Sequence, residues 1–184
     1  MTRVLQRSAQ NNAEVIEHVL PRDTTLGDVE LSIVIPAMNE EITVGEFMEW
    51  CKEGLQRAGV SGQILIVDSS TDNTPAIVLE HGGEVLRTPK RGVGRAYLDA
   101  IPYIRGKWIL MGDADLTYDF REIAPFVEEF RKGAEFIMGS RFEAALKRTR
   151  CQNCIVISAR LSLIGFSTVF TAATIPTFIA GYAA

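Results

Sequence analysis

Histidine and cysteine are scarce in this 184-residue chain, with 2 and 3 copies. His18 and His81 lie far from every polar cluster described below, so no Ser-His-Asp or Cys-His set exists to build a nucleophilic hydrolase. Cys51, Cys151 and Cys154 make no even disulfide framework, which points to a reducing cytosol. Cys151 and Cys154 have the spacing of half a zinc site, but no second pair follows and both histidines are distant. Basic charge is not in excess either. Nineteen Lys and Arg stand against 23 Asp and Glu, a net charge of −4 that lacks the electrostatic footprint of a nucleic-acid binder. No secretory leader is expected from the first residues, because Arg3 and Arg7 are followed by Ser8-Ala9-Gln10-Asn11-Asn12 and not by an apolar core.

What is present is an ordinary globular balance of 47% hydrophobic and 23% charged residues, enough for one domain with a sizeable core. Residues 1–28 read as a polar extension with a short helix at Ala13–Leu20 before Pro21. From Leu31 to Arg141 strand and helix signals alternate. Leu31–Ile35 is an apolar run stopped by Pro36, and Gln63–Val67, Glu84–Arg87, Lys107–Met111 and Glu135–Met138 are further strands. Between them, helical spacing covers Ile42–Ala58, a short helix opens near Thr71 and runs to Glu80, and helices follow to Ile104 and over Phe120–Lys132. This alternation predicts an α/β fold, a parallel-dominated sheet covered by helices on both faces. Ligands of such sheets sit at the carboxyl ends of the strands.

Polar residues gather at that edge. Asp113-Ala114-Asp115 ends an apolar strand with two carboxylates one residue apart, a pattern that holds Mg²⁺ or Mn²⁺ and equally makes a simple turn. Pro36, Asn39 and Glu40 follow the first strand, where they can hold a base or ribose, or cap a helix. Asp68 ends the second strand, and Asp72 stands ahead of the next helix as a cap. Arg91-Gly92-Val93-Gly94-Arg95 lets backbone N–H groups approach an anion, yet lacks the third glycine of a dinucleotide fingerprint. Gly139-Ser140-Arg141 ends the fifth strand with a cation that can reach a phosphate or simply stand on the surface. Metal-assisted transfer from a nucleotide-activated donor is the chemistry this combination suits.

The ordered segments Ile33–Glu41, Ile66–Thr74, Arg91–Ala96, Gly112–Asp115 and Gly139–Phe142 resemble the family 2 glycosyltransferases of the GT-A fold, near the polyprenyl-phosphate mannose and glucose synthases. The resemblance covers residues 29–142 and implies a three-layer α/β/α domain, incomplete on its C-terminal side. It implies that Pro36, Asn39, Glu40, Asp68 and Asp72 line the nucleoside pocket, with Arg91, Gly92 and Ala114 against the diphosphate. Asp113 and Asp115 would hold Mg²⁺ or Mn²⁺, and Arg141 would contact phosphate. The partners implied are a nucleotide-diphosphate sugar and a polyprenyl-phosphate or other hydroxyl acceptor. The resemblance also implies an inverting reaction and a cytoplasmic location, either free or at the cytoplasmic face of a membrane. A donor-binding remnant without turnover is the alternative.

After Phe142 the resemblance stops. Residues 143–184 form an atypical tail in which Leu161–Ala184 is a 24-residue run without charge, long enough to span a bilayer though interrupted by Gly165, Pro176 and Gly181. A one-base slip of the reading frame near Phe142 is an alternative origin. Read in the other frame, the tail is codon-compatible with a family-like continuation. The hypothesis is tested by sequencing the gene across the Phe142 codon, and an in-frame tail in close relatives would sink it.

Overall fold

The computed structural model describes residues 3–10, 14–22, 24, 26–139 and 157–160. They build β1 (Arg3–Gln10), β2 (Glu14–Leu20), β3 (Val29–Ala37), α1 (Val44–Ala58), β4 (Gly62–Asp68), α2 (Thr74–Glu80), β5 (Glu84–Arg87), α3 (Val93–Ala100), β6 (Gly106–Met111), α4 (Ala124–Arg131), β7 (Phe136–Met138) and β8 (Ile157–Arg160). Short 3-10 turns at Ile101–Tyr103 and Phe120–Glu122 complete the list. One sheet runs in the order β1-β2-β5-β4-β3-β6-β8-β7. The central β5-β4-β3-β6 pairs are parallel, and β1, β2 and β8 join antiparallel, so the sheet is mixed at both margins. β7 pairs antiparallel with β8, so it points the same way as the central strands.

Alternation along the central strands sorts side chains onto the two faces. Leu31, Ile33, Ile35, Ile64, Ile66 and Val85 meet α1, α2 and α4 in the larger core. Val34, Leu65, Val67 and Leu86 meet Ala100 and Tyr103 on the other face. The result is the expected three layers. Phe47 of α1 stands edge-on to Phe120 at 4.8 Å, and Trp108 stacks on Phe130 at 5.3 Å. α1 comes so close to the Phe120 turn that a Cβ on Gly54 would lie 2.0 Å from the Phe120 carbonyl oxygen. We therefore expect Gly54→Ala to cost about 1–3 kcal/mol of stability. Urea unfolding measures this, and a variant as stable as the parent would refute the close approach.

Several element bounds depart from the sequence pattern for local reasons. β3 continues through Pro36 to Ala37 instead of stopping at the proline. The last β3–β6 pair is Val34 with Met111, so Pro36, which has no N–H, lies beyond that ladder. The helix expected to reach Ile104 ends at Ala100, where Pro102 tightens the chain into a 3-10 turn. The one expected over Phe120–Lys132 divides into a 3-10 turn and α4, with Pro125 in the first turn of α4. α1 ends as expected, with Gly59 in the left-handed conformation at φ 61°.

The largest difference is at the N-terminus. The helix expected at Ala13–Leu20 is instead strand β2, paired with β5 through Glu17–Arg87, His18–Leu86 and Val19–Val85. Val15, Ile16 and Val19 are all β-branched and lean toward a strand although their spacing also fits a helix, and β5 offers an otherwise open edge that settles the outcome. His18 is buried there. Its Nε2 lies 3.0 Å from a Glu84 carboxylate oxygen, and its ring stands edge-on to Tyr103.

Candidate functional site

From β3 the chain adds β4 and then β5 to one side, and only afterwards adds β6 to the other side of β3. The crevice outside the carboxyl ends of β3 and β6 is thus a topological switch point, the usual ligand position of an open parallel sheet. The loops after β5, β4, β3 and β6 stand in that spatial order along one edge. Strands about 4.8 Å apart put the two outer loops about 14 Å from each other.

Beside the crevice the loops after β3 and β4 are tied together by side chain-to-backbone bonds. Asn39, at φ 60°, accepts from Thr71 N–H through Oδ1 at 2.9 Å, while its own N–H donates to Ser70 Oγ at 2.7 Å. Glu40 N–H donates to Thr74 Oγ1 at 2.9 Å, and Thr43 Oγ1 donates to Glu40 Oε2 at 3.0 Å. Asp72 accepts from Thr74 N–H at 3.0 Å and from Glu41 N–H at 3.3 Å. These bonds hold the Asp72 carboxyl below its ordinary range against the opposing cost of desolvation. The side chains of Asn39, Glu40 and Asp72 therefore brace the cradle, with Pro36 partly buried at its floor. Asp68 is fully buried. It accepts from Ser70 N–H at 3.2 Å and forms an ion pair with Arg87.

Across the switch point, β6 ends at Met111 and the chain turns through Gly112. Asp113 and Asp115 are exposed, and Ala114 between them is buried at 3% exposure. The turn is braced on both sides. Asp115 Oδ1 accepts from Thr117 N–H at 2.9 Å, and the Tyr97 hydroxyl donates to the Gly112 carbonyl at 3.2 Å. Burial, with the Asp113 charge beside it, pushes the Tyr97 phenol well above its usual range, so it stays a donor. Leu116 has φ 61°, a strained backbone for a branched residue and one that clusters at functional loops.

The glycine-rich loop opens α3. Gly92 has φ 89° with open space where a Cβ would stand, so the backbone there can approach a ligand closely. Arg91 Nη2 and Arg95 Nε both donate to the buried Asp99 carboxylate, at 2.7 and 2.9 Å. That bridge ties both guanidinium groups to a carboxylate that belongs to the last turn of α3. Arg141 lies outside the described residues, as do Ser140, Cys151, Cys154 and the run Leu161–Ala184.

Among the described residues no group of three or more His, Cys, Asp and Glu converges as a closed metal site. Two exposed carboxylates at the switch point still suit a hard cation such as Mg²⁺, which keeps several waters and takes one or two carboxylates plus substrate phosphates. Sequence reasoning missed Arg87, Tyr97 and Asp99. Asp99 stands four residues after Arg95, a helix i, i+4 spacing that was legible. Arg87 and Tyr97 carried no local signal, because their partners are 19 and 15 residues away in sequence.

A three-layer α/β/α sheet with these loops at its switch point is the GT-A architecture of nucleotide-diphospho-sugar transferases. The sequence model of the glycosyl transferase family 2 matches residues 32–181. The chain belongs to that family. The match runs into the tail after Phe142, and β8, in the same segment, pairs with both β6 and β7. The chain is 43% identical over 117 residues to the low-salt glycan biosynthesis hexosyltransferase Agl6 of Haloferax volcanii, covering 63% of this chain and 28% of that protein. It is 28% identical over 129 residues to an undecaprenyl-phosphate 4-deoxy-4-formamido-L-arabinose transferase of Pseudomonas fluorescens, covering 64% and 38%. Among solved structures, the mannosyltransferase PcManGT of Pyrobaculum calidifontis, in complex with GDP-Man and Mn²⁺, superposes with a TM-score of 0.57 at 17% identity, over 73% of this chain and 45% of that one. The chain thus spans about a quarter to a half of these relatives' lengths. No helix among the described residues is long and apolar enough to cross a membrane.

Proposed function

We propose that this chain carries the donor side of a glycosyltransferase, which moves a sugar from a nucleoside-diphosphate donor to a polyprenyl-phosphate or other hydroxyl acceptor. One observation carries the reading: Asp113 and Asp115 stand exposed at the β3–β6 switch point, on a turn braced by Tyr97 and Thr117. The nucleoside would lie over the cradle of Pro36, Asn39, Glu40, Asp68 and Asp72. The diphosphate would extend toward Gly92, Arg91 and Ala114. Asp113 and Asp115 would hold Mg²⁺ or Mn²⁺, which when bound neutralises charge on the departing diphosphate. The GDP-Man and Mn²⁺ of the Pyrobaculum mannosyltransferase support that assignment. The name of the Pseudomonas relative supports a lipid-phosphate acceptor.

In this reading the chain's own residues act by preorganisation. The braced turn fixes both carboxylates before the donor arrives, so little reorganisation is needed when charge develops. Calorimetric titration of a panel of uridine, guanosine, adenosine and cytidine diphosphate sugars, with and without Mn²⁺, tests it. We expect micromolar-range, Mn²⁺-dependent binding of at least one donor. Absence of binding for the whole panel would refute the proposal, and binding without hydrolysis or transfer would favour the donor-binding remnant.

A further inference from the structure

Two arginines share one buried carboxylate on α3. The Asp99 side chain is 5% exposed and accepts from Arg91 Nη2 at 2.7 Å and from Arg95 Nε at 2.9 Å. Both guanidinium-bearing side chains reach solvent, at 29% and 47% exposure. Asp99 and Tyr97 are two residues apart on the helix, about 200° around its axis. Tyr97 bonds the Gly112 carbonyl at the end of β6, so Asp99 occupies the other flank of α3, turned from Asp113 and Asp115. Arg91 precedes the helix, yet its guanidinium is drawn back along that flank to the last turn.

The cluster holds two cations on one carboxylate. A buried carboxylate stripped of every partner is costly, whereas one that keeps a charged partner stays compensated. Arg95 is the local partner: it stands four residues before Asp99 on the same helix, a spacing at which side chains meet. Arg91 instead joins the helix through Gly92, whose φ of 89° and open Cβ side mark the least restricted backbone of the loop.

We propose that Arg95 is a positioning residue for donor binding: it stays on Asp99 and thereby lets Arg91 exchange Asp99 for the donor's diphosphate. The inference rests on the function proposed above, in which the diphosphate extends toward Gly92 and Arg91. A guanidinium pairs with phosphate oxygens in the same forked geometry that it uses on a carboxylate. The exchange therefore moves one charged donor from acceptor to acceptor, and Arg95 keeps Asp99 compensated throughout. Without Arg95 the same exchange leaves Asp99 buried and unpaired, so Arg91 remains on Asp99 and the diphosphate loses its contact.

A double-mutant cycle on nucleotide affinity tests this. Dissociation constants of UDP, GDP, ADP and CDP with Mn²⁺ are measured for the full chain, Arg91→Met, Arg95→Met, Arg95→Lys, Asp99→Asn and the double variant Asp99→Asn/Arg95→Met. Thermal unfolding of each variant checks the fold. For the nucleotide the parent binds best, Arg91→Met should weaken binding roughly tenfold, the scale of one charged hydrogen bond. Arg95→Met should weaken it by a similar factor, and Arg95→Lys, which keeps a charge on Asp99, should recover most of the loss. Asp99→Asn should bind at least as tightly as the parent, because no full charge holds Arg91 back. In that background Arg95→Met should have no further effect. An Arg95 that touches the nucleotide, or merely supports the helix, would weaken binding equally in both backgrounds and overturn the inference. An Arg95→Met variant that binds like the parent would overturn it too. Should Asp99→Asn not fold, Asp99→Ala supplies the background, and equal losses in Arg95→Met and Arg95→Lys would also count against the inference. If the parent binds none of the four nucleotides, the proposed function falls and this inference with it; if the parent binds and Arg91→Met matches it, only the exchange falls.

Discussion

Asp115→Asn is expected to abolish the Mn²⁺ dependence of nucleotide-sugar binding and to lower kcat/KM by roughly 10²–10³-fold, the scale of removing one group aimed at developing charge. Asparagine is the informative substitution because Asp115 already accepts from Thr117 N–H at 2.9 Å. An amide oxygen can keep that turn bond, while the negative charge a divalent cation requires is gone. Asp115→Ala removes both and should lose more, through the turn as well as the charge. Asp113→Asn should act in the same direction. Its charge sits beside Tyr97, whose hydroxyl braces the same turn on Gly112. Titrating UDP and GDP sugars against each variant across a Mn²⁺ series reads the effect directly. If Asp115→Asn retains the parent's metal dependence, the metal role of that carboxylate is wrong.

Glu84→Ala should be strongly destabilising, by about 3–5 kcal/mol, because it leaves charged partners buried without compensation. Glu84 sits at the amino end of β5, opposite the ligand edge, with its side chain 4% exposed. Its carboxylate receives Gln63 Nε2 at 2.8 Å and contacts His18 Nε2 at 3.0 Å, and it forms an ion pair with Arg105. Gln63 ties that cluster onward to Ser32 and to the Tyr103 carbonyl. Among the described residues the buried Arg105 Nε has no hydrogen-bond partner, and Glu84 is the carboxylate paired with that guanidinium. Urea unfolding at neutral pH tests the size of the loss, and a change below the scale of a surface substitution would show the network to be dispensable.

The same residue sets a pH dependence. Burial pushes the Glu84 carboxyl up, yet the His18 and Gln63 bonds and the Arg105 charge outweigh it and hold the group below its ordinary value of 4.5. The unfolded chain therefore binds a proton at this site more readily than the folded one. The stabilisation is fully present above the unfolded pKa and is lost as the pH falls through the depressed folded value. The N-terminal hairpin depends on the contact, since His18 belongs to β2. In acid, β2 should separate from β5 before the parallel core unfolds. Amide hydrogen exchange at Glu17–Val19 against Ile33–Ile35, followed from neutral pH downward, would show that order; simultaneous loss of both would contradict it.

How much was legible depended on the range of the interaction. The run Glu84–Arg87 read correctly because the apolar pair Val85-Leu86, set between turn signals, is too short for a helix, and the strand spans those residues. The C-terminal cap at Gly59 was legible from equally local chemistry. Pro36 misled, because a proline stops a strand only where its missing N–H would face a partner, and partner positions are a property of the sheet. Ala13–Leu20 misled more deeply. Its apolar spacing fits a helix or a strand, and the open edge of β5 decided for the strand. In the candidate site, the loop positions of Asn39, Asp68, Asp72, Arg91 and Asp113–Asp115 followed from strand ends alone. That Asn39 and Asp72 spend their side chains bracing one loop against another did not, because their partners lie 31 or 32 residues away.

By itself, then, the sequence determined the alternation of strand and helix and which polar residues stand at strand ends, because both follow from periodicity and local turn chemistry. Only the tertiary structure decided the strand order that opens a crevice between β3 and β6, the burial of Asp68 beside Arg87, and the seating of β2 on β5. Those depend on which edges and charges meet in space. Pairing at a distance is set by the free energy of burying whole faces together, which no short window of residues contains.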